Sequence, residues 1–213
     1  MEKDKDLNFH NLFYIFLTGC IVGHIIEGLW TLIKSGKLYN HSALVIGPFN
    51  IIYGMGAVAL TIFLSKYAKK NKLSIFTSSI IMGTVLEYIA SFFMEKLFGY
   101  VAWDYSKVPF NINGRVCLLY SVFWGFVGLL WMKKIYPKLT NLINNLDHEK
   151  STRFMYVTIL FLIFDAFLTY GAFNRAYDAE KGIPPENKVE EMYDKYFSKD
   201  YLINMTNNRW HEK

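Results

Sequence analysis

Long apolar blocks separated by short polar segments dominate the pattern of the chain. Five blocks hold enough mostly apolar residues to cross a hydrocarbon core of about 30 Å as a helix. They run from about residue 12 to 33, 43 to 67, 73 to 98, 116 to 132 and 154 to 173. Helices are expected because lipid cannot satisfy backbone groups, and the alternating pattern of a β-barrel is absent. The sequence therefore predicts an all-α integral membrane protein with a bundle of about five transmembrane helices.

The end of the chain has a different pattern, in which apolar and charged residues are interleaved. After the break at Gly182 and Pro184, six apolar residues recur at helical spacing. They are Val189, Met192, Tyr193, Tyr196, Phe197 and Leu202. This favours an amphipathic helix that lies on the membrane surface, folds over the mouth of the bundle, or is an ordinary surface helix. We divide the chain into a transmembrane helical bundle, residues 1–175, and a soluble or interfacial C-terminal tail, residues 176–213.

The distribution of charged residues predicts how the chain is oriented across the membrane. The net charge of +5 does not require a nucleic-acid partner, because basic residues concentrate in two segments between apolar blocks. These are Lys66, Lys69, Lys70 and Lys72 in one segment, and Lys133, Lys134, Lys138, Lys150 and Arg153 in the other. The second segment also contains a weaker amphipathic stretch, residues 139–146. The positive-inside rule predicts a multi-pass cell-membrane protein with a cytoplasmic N-terminus and an extracytoplasmic C-terminus.

Three acids lie well inside apolar blocks, with no lysine or arginine within five residues: Glu27, Glu87 and Asp165. A charge at membrane depth is costly, so such residues usually face the bundle interior or water and mark function. With a rise of about 1.5 Å per residue, Glu27 lies about 22 Å and Glu87 about 21 Å along its block. Both blocks run outward, so the two carboxylates are predicted at one depth in the outer half. Asp165 lies nearer the middle, where a protonated carboxyl would serve as an interhelical hydrogen-bond donor.

Polar neighbours extend this acid pair into a candidate site. His24 is three residues before Glu27 and shares its helix face. The segment between the third and fourth blocks would lie above the carboxylates and supplies an acid, an amide and a guanidinium. The candidate substrate-binding residues are therefore His24, Glu27, Glu87, Asp104, Asn113 and Arg115. We predict no cofactor and no resident metal, and we assign no catalytic residue.

Several interpretations of these residues remain open. Glu27, Asp104 and Arg115 could form a structural salt-bridge network, or the site could bind a substrate or an ion. Arg115 could neutralise Glu27 or Glu87, or hold a carboxylate or phosphate on a substrate. His24 and Glu27 also have the spacing of metal ligands on one helix face. Two functions follow: a transporter component that binds a small polar or cationic solute, or a membrane-embedded enzyme acting on a lipid or lipid-linked substrate. A scaffold protein is a third alternative, and enzymatic activity is left undecided.

Several motifs resemble a known family. They are Gly36–Asn40, Gly47-Pro48-Phe49, Ile52-Tyr53-Gly54, Trp103–Ser106, Asn111–Leu118, Ser121 and Trp124-Gly125, together with Glu27 and Glu87. Over about residues 12–136 the chain resembles the putative ABC-transporter type IV family, also called CmpB-like; the fifth block and the tail lie outside this resemblance. Two positions depart from the pattern. His41 stands where an arginine is expected, and Ile51 stands where a proline usually precedes Ile-Tyr-Gly.

The resemblance implies a multispanning ABC permease. The sequence contains no Walker A pattern, so any ATPase would be a separate subunit. Five helices are few for a complete translocation path, so a permease role would require a homo-oligomer. The expected partners are therefore membrane lipid, a separate ATPase subunit and further copies of this chain.

Overall fold

The computed structural model describes residues 7–67, 70–98 and 103–205, with the backbone alone at residues 94, 97 and 98. Lys69 of the predicted basic segment and residues 206–213 of the predicted tail lie outside the described residues. The helices are α1 (Phe9–Ser35), α2 (Ile51–Ser65), α3 (Lys72–Phe98), α4 (Leu118–Leu130), α5 (Tyr136–Asn144), α6 (His148–Glu180), α7 (Lys188–Tyr196) and α8 (Lys199–Met205). A π-helical turn, Trp131–Ile135, joins α4 to α5. A two-stranded antiparallel hairpin pairs β1 (Asn111–Ile112) with β2 (Val116–Cys117).

The described helices confirm an all-α membrane protein. Four spans are long and apolar enough to cross a membrane: α1, residues 72–93 of α3, the continuous rod Leu118–Asn144, and α6. The fifth apolar helix, α2, has 15 residues and covers about 22 Å, which is shorter than the hydrocarbon core. The chain is therefore a multi-pass membrane protein built around these apolar helices.

The second block begins later than predicted. The pattern suggested a helix from residue 43, but residues 43–50 are non-helical and α2 starts at Ile51. Gly47 has a φ of 82°, and Pro48 has no backbone N–H and disfavours helical geometry in the residue before it. We call residues 43–50 the entry segment, because they lead the chain into α2.

The fourth block continues further than predicted. Residues 139–146 were expected in a loop, but the chain passes from α4 through the π-helical turn into α5 without leaving the helix. Pro137 explains the π-helical turn. Proline has no backbone N–H to donate to the preceding turn of helix, and a locally widened helix accommodates the missing hydrogen bond. Tyr136 and Ile143 are buried in the bundle, so this stretch is the last part of a membrane span.

The fifth block and the tail also differ in detail. Helix α6 extends beyond residues 154–173 at both ends and begins at His148, after the N-cap Asp147, whose side chain accepts a hydrogen bond from the Lys150 amide. The expected amphipathic helix of the tail consists of two helices, α7 and α8, that fold back on the bundle. Leu202 and Met205 are buried in one cluster with Val45 of the entry segment and two alanines of α6.

The direction of the helices brings three connections to one end of the bundle. Helices α1, α3 and α6 run towards it, and α2 and the α4–α5 rod run away from it. We call this the loop end; it carries residues 36–50, 103–117 and 181–198. The largest buried cluster lies towards the opposite end and joins α1 to α5: Ile15, Leu60, Leu64, Ile75, Met132, Tyr136 and Ile143. The candidate site residues lie towards the loop end.

Candidate functional site

Glu27 is held by a tyrosine of the neighbouring helix. It lies on α1, where it is half-buried, and accepts a hydrogen bond from the Tyr53 hydroxyl of α2. One turn earlier, Gly23 leaves the space that the Tyr53 ring fills, because any side chain at Gly23 would overlap that ring. The glycine thus allows α2 to approach α1 and brings a phenol to the carboxylate.

Glu87 has a similar environment on the next pair of helices. It is half-buried on α3 and accepts hydrogen bonds from the Tyr105 hydroxyl at 3.0 Å and from the Trp124 indole nitrogen of α4 at 3.1 Å. Gly83, one turn earlier, leaves the space for the Trp124 ring. Burial and the charge of Glu87 raise the pKa of the Tyr105 phenol, so it stays a hydrogen-bond donor. Both acids therefore accept hydrogen bonds from uncharged donors.

Tyr53 is the residue of α2 that contacts the acid of α1. Its hydroxyl donates to Glu27. About 37% of Tyr53 is exposed at the surface of the bundle. The phenol that holds Glu27 is therefore reachable from outside the bundle.

Asp104 and Asn113 brace the connection between α3 and α4. Asp104 is exposed and accepts hydrogen bonds from the backbone and side chain of Ser106 at 2.8 and 2.9 Å, which lower its pKa. Its carboxylate lies against Gly114, whose φ of 67° favours glycine. The Asn113 amide donates to the Tyr88 hydroxyl on α3 at 2.9 Å. These two residues shape the loop that carries Tyr105, and neither contacts Glu27 or Glu87 directly.

Arg115 pairs with an acid that the sequence analysis did not select. Its guanidinium forms an ion pair with Glu95 of α3 and donates to Ser91 at 3.2 Å. It also lies 5.6 Å from the centre of the Phe92 ring, and only 16% of its side chain is exposed. Glu95 is two turns beyond Glu87 on the same helix face, nearer to the loop, so it reaches Arg115 first. Arg115 therefore ties the loop to α3 instead of neutralising Glu27 or Glu87.

His24 belongs to a different neighbourhood from Glu27, although both lie on α1. Its ring nitrogen lies 3.4 Å from the Ser42 hydroxyl, which donates to the Gly47 carbonyl of the entry segment. Within residues 7–67, 70–98 and 103–205, no group of three or more His, Cys, Asp or Glu side chains is arranged to hold a metal ion. The position of His24 thus fits a polar contact that supports the entry segment.

Asp165 fastens the entry segment to α6. The carboxyl is fully buried, and one oxygen accepts the Ile46 amide at 3.1 Å. One turn later the Thr169 hydroxyl accepts the Val45 amide at 3.0 Å. On the other side, the Tyr201 hydroxyl of α8 donates to the Val45 carbonyl at 2.6 Å. The second Asp165 oxygen has no protein partner among the described residues. Backbone groups that lipid would leave unsatisfied are thereby paired.

The sequence analysis missed the residues that contact the acids. Tyr53, Tyr105 and Trp124 donate to Glu27 and Glu87, and Glu95 occupies Arg115. Aromatic residues in apolar blocks are ordinary packing residues, so their type gave no indication of this role. One signal was available: a glycine stands four residues before each glutamate, at Gly23 and Gly83. A glycine on a helix face marks where a large side chain of the next helix can approach.

Comparison with known protein families gives a match over most of the chain. A family model described as putative ABC-transporter type IV matches residues 14–170. The match extends past the resemblance over residues 12–136 and includes Asp165, while α7 and α8 lie beyond it. No curated protein and no solved structure matches the chain.

Proposed function

The chain belongs to the putative ABC-transporter type IV family, and on this premise we propose that it is a transporter membrane component that binds a small polar or cationic solute. The proposed site lies at the loop end of the bundle, between the α1–α2 and α3–α4 pairs. Glu27 and Glu87 are its centre, and His24, Asp104, Asn113 and Arg115 surround it or support its walls.

The observation that carries this proposal is that, within the part of the chain that the structure describes, no basic side chain forms an ion pair with either central acid. Glu27 and Glu87 are held by hydroxyl and indole donors, which carry no charge. Arg115, the basic residue predicted for this role, is paired with Glu95. Among the ion pairs of residues 7–67, 70–98 and 103–205, none includes Glu27 or Glu87. Half-buried carboxylates held only by neutral donors favour a positive partner, which a cationic solute would supply.

The surrounding residues support a cationic ligand more than an anionic one. Asp104 is exposed at the loop end, and its lowered pKa keeps it ionised at neutral pH. Aromatic rings beside the acids, including Tyr53 and Trp124, offer faces that attract organic cations. The alternative of an enzyme with Arg115 as a phosphate clamp has less support, because that guanidinium is already paired.

The same proposal includes partners and an orientation. A separate ATPase subunit would drive transport, since the sequence has no Walker A pattern, and a homo-oligomer would complete a path that few helices can form alone. We also propose that the N-terminus is cytoplasmic and the loop end extracytoplasmic, because four lysines, at positions 66, 69, 70 and 72, concentrate between the second and third apolar blocks, at the opposite end.

Ligand-induced thermal stabilisation of the purified protein in neutral detergent tests the site. The probes are sodium, potassium, magnesium, tetramethylammonium and a short alkyl diamine, each as the chloride salt at matched ionic strength. We expect at least one cation to raise the Tm of the wild type. Removal of one charge, in Glu27→Gln or Glu87→Gln, should weaken its apparent affinity by about tenfold or more, as expected for loss of a charged contact.

Glu149→Gln is the matched control. Glu149 is an exposed acid at the opposite end of the bundle, paired with Arg153 on the surface of α6. This variant should bind the cation as the wild type does. A wild type that no probe stabilises, or stabilisation that is unchanged in both Glu27→Gln and Glu87→Gln, would overturn the proposal.

A further inference from the structure

Helices α1 and α3 carry the same residues at the same intervals. In α1, Phe16 is followed after seven residues by Gly23 and after four more by Glu27. In α3, residues 76, 83 and 87 are likewise Phe, Gly and Glu. Ile15 and Ile75, which precede the two phenylalanines, are both fully buried in the largest cluster. A shift of 60 residues therefore superimposes one helix pattern on the other.

The helices that pack against them also correspond. An aromatic residue followed by glycine occurs as Tyr53-Gly54 in α2 and as Trp124-Gly125 in α4. A side-chain carbon at Gly54 would meet Phe16, and one at Gly125 would meet Phe76.

The remaining close contacts continue this register. Gly23 faces the Tyr53 ring as Gly83 faces the Trp124 ring. One turn further along, Gly19 faces Ala57 while Ser79 faces Gly128, at positions shifted by the same 60 and 71 residues. The contacts between α1 and α2 therefore have the same register as the contacts between α3 and α4.

The connections contain a shared turn as well. Asn40 accepts a hydrogen bond from the Ser42 amide at 3.0 Å, and Asp104 accepts one from the Ser106 amide at 2.8 Å. In both cases the turn follows an aromatic residue, Tyr39 or Trp103. The first helices of both pairs run in the same direction. A parallel repeat is one of the constructions used by transporters, which place their sites where the two repeats meet.

We infer that the α1–α2 and α3–α4 pairs are two copies of one structural unit, in which Tyr53 and Trp124 are equivalent positioning residues for Glu27 and Glu87. Each aromatic ring fills the space above a glycine, and each donates a hydrogen bond to the acid one turn further on. The donor is a hydroxyl in one unit and an indole N–H in the other. In both units it holds the glutamate carboxylate in place. The repeat itself needs no ligand; the effect on binding rests on the proposed function.

Exchange of the two aromatic residues tests their equivalence. Tyr53→Phe and Trp124→Phe keep an aromatic ring and remove the donor, whereas Tyr53→Trp and Trp124→Tyr keep a donor of the kind that the other unit uses. The first readout needs no ligand: the carboxylate stretching band of each glutamate, assigned by infrared difference spectra against Glu27→Gln or Glu87→Gln. We expect each Phe variant to shift the band of its own glutamate and each exchange variant to restore it towards the wild-type position.

The second readout is the affinity for whichever cation stabilises the wild type. Each Phe variant should weaken it by about three- to tenfold, as loss of one hydrogen bond to a charged group implies, and the exchange variants should recover most of the loss. Thermal unfolding without ligand separates positioning from packing, since Phe and exchange variants that keep the fold should have similar Tm values.

The outcomes separate this inference from the proposed function. Phe variants whose infrared bands match the wild type, or exchange variants no better than the Phe variants, would overturn the equivalence even if cations bind. If no cation binds and the bands shift and recover as expected, the proposed function fails and the repeated unit stands.

Discussion

The bundle contains two regions that are held together by different forces. Helices α1 to α4 approach through glycines, and aromatic rings such as Tyr53 and Trp124 fill the spaces that the glycines leave. Helix α6, the entry segment and the tail share a smaller apolar cluster, and polar groups are added to it: Asp165 and Thr169 hold the entry segment, and Arg175 holds Asp194 of α7. Close approach at glycines characterises the first region, and directional hydrogen bonds that supplement packing characterise the second.

The acids inside the apolar helices have different roles in the two regions. Asp165 is fully buried and accepts the backbone amide of Ile46, which would otherwise lack a partner, so its contacts are those of a structural group. Glu27 and Glu87 are half-buried and are held by side-chain donors without charge, so we propose that their charge remains available to a ligand. Three acids at membrane depth thus divide into one support and two candidate ligand groups, and substitutions should separate them.

The largest effect on stability is expected at Asp165. Asp165→Leu removes a buried polar side chain and leaves the Ile46 amide without its acceptor, which should cost about 2–3 kcal/mol and lower the Tm by about 5–10 °C. Asp165→Asn keeps a carbonyl oxygen for that amide and should lose less than half as much. Thermal unfolding in detergent measures both. Equal losses in the two variants would show that charge, and not the hydrogen bond, is what α6 contributes.

A second substitution tests the packed region. A side-chain carbon at Gly54 would press against Phe16 and Cys20, whereas one at Gly56 on the same helix meets no atom within 4 Å. Gly54→Ala should therefore destabilise the protein by about 1–3 kcal/mol. Gly56→Ala should be neutral or stabilise it by up to about 1 kcal/mol through helix propensity. Similar unfolding temperatures for the two variants would show that glycine contacts do not hold α1 against α2.

The smallest effect on global stability is expected in the tail. The Arg175 side chain, only 6% exposed, donates to Asp194 at 2.8 and 3.0 Å and to the Ile183 carbonyl at 2.9 Å. Arg175→Gln should release α7 and α8 locally, with amide exchange in residues 188–205 faster by roughly tenfold and little change in Tm. Arg153→Gln breaks an exposed pair on the same helix and should leave that exchange unchanged. Exchange rates alike in both variants would show that this pair does not fasten the tail.

The sequence predicted the membrane class and the approximate spans well, because apolar length reports directly on bilayer thickness. It was less successful where the chain leaves regular helix inside an apolar block. Residues 43–50 are as apolar as a span, and their departure from helix depends on Gly47, Pro48 and a distant acid, Asp165. The continuation of α4 into α5 was missed for the converse reason, since Pro137 and nearby lysines suggested an end that the π-helical turn avoids.

The candidate site was predicted by residue type and depth, and its contacts were not. Glu27 and Glu87 stand out because acids are rare in apolar blocks. The partner of Arg115 could not be chosen from sequence, because Glu87 and Glu95 lie on one helix face and only the position of the loop decides between them. Tyr53 and Trp124 were recognisable only through glycines on another helix, which requires the register of two helices to be known.

The entry segment also constrains how the protein can be made. Its Ile46 amide finds its acceptor 119 residues later, on the last helix of the bundle. Since chains emerge from the ribosome N-terminus first, α1 and α2 are inserted long before Asp165 exists outside the exit tunnel. Until then the peptide groups around Gly47 and Pro48 must stay in contact with water or with the insertion machinery. Completion of the first hairpin is therefore a late event of biogenesis, timed by the arrival of the final span.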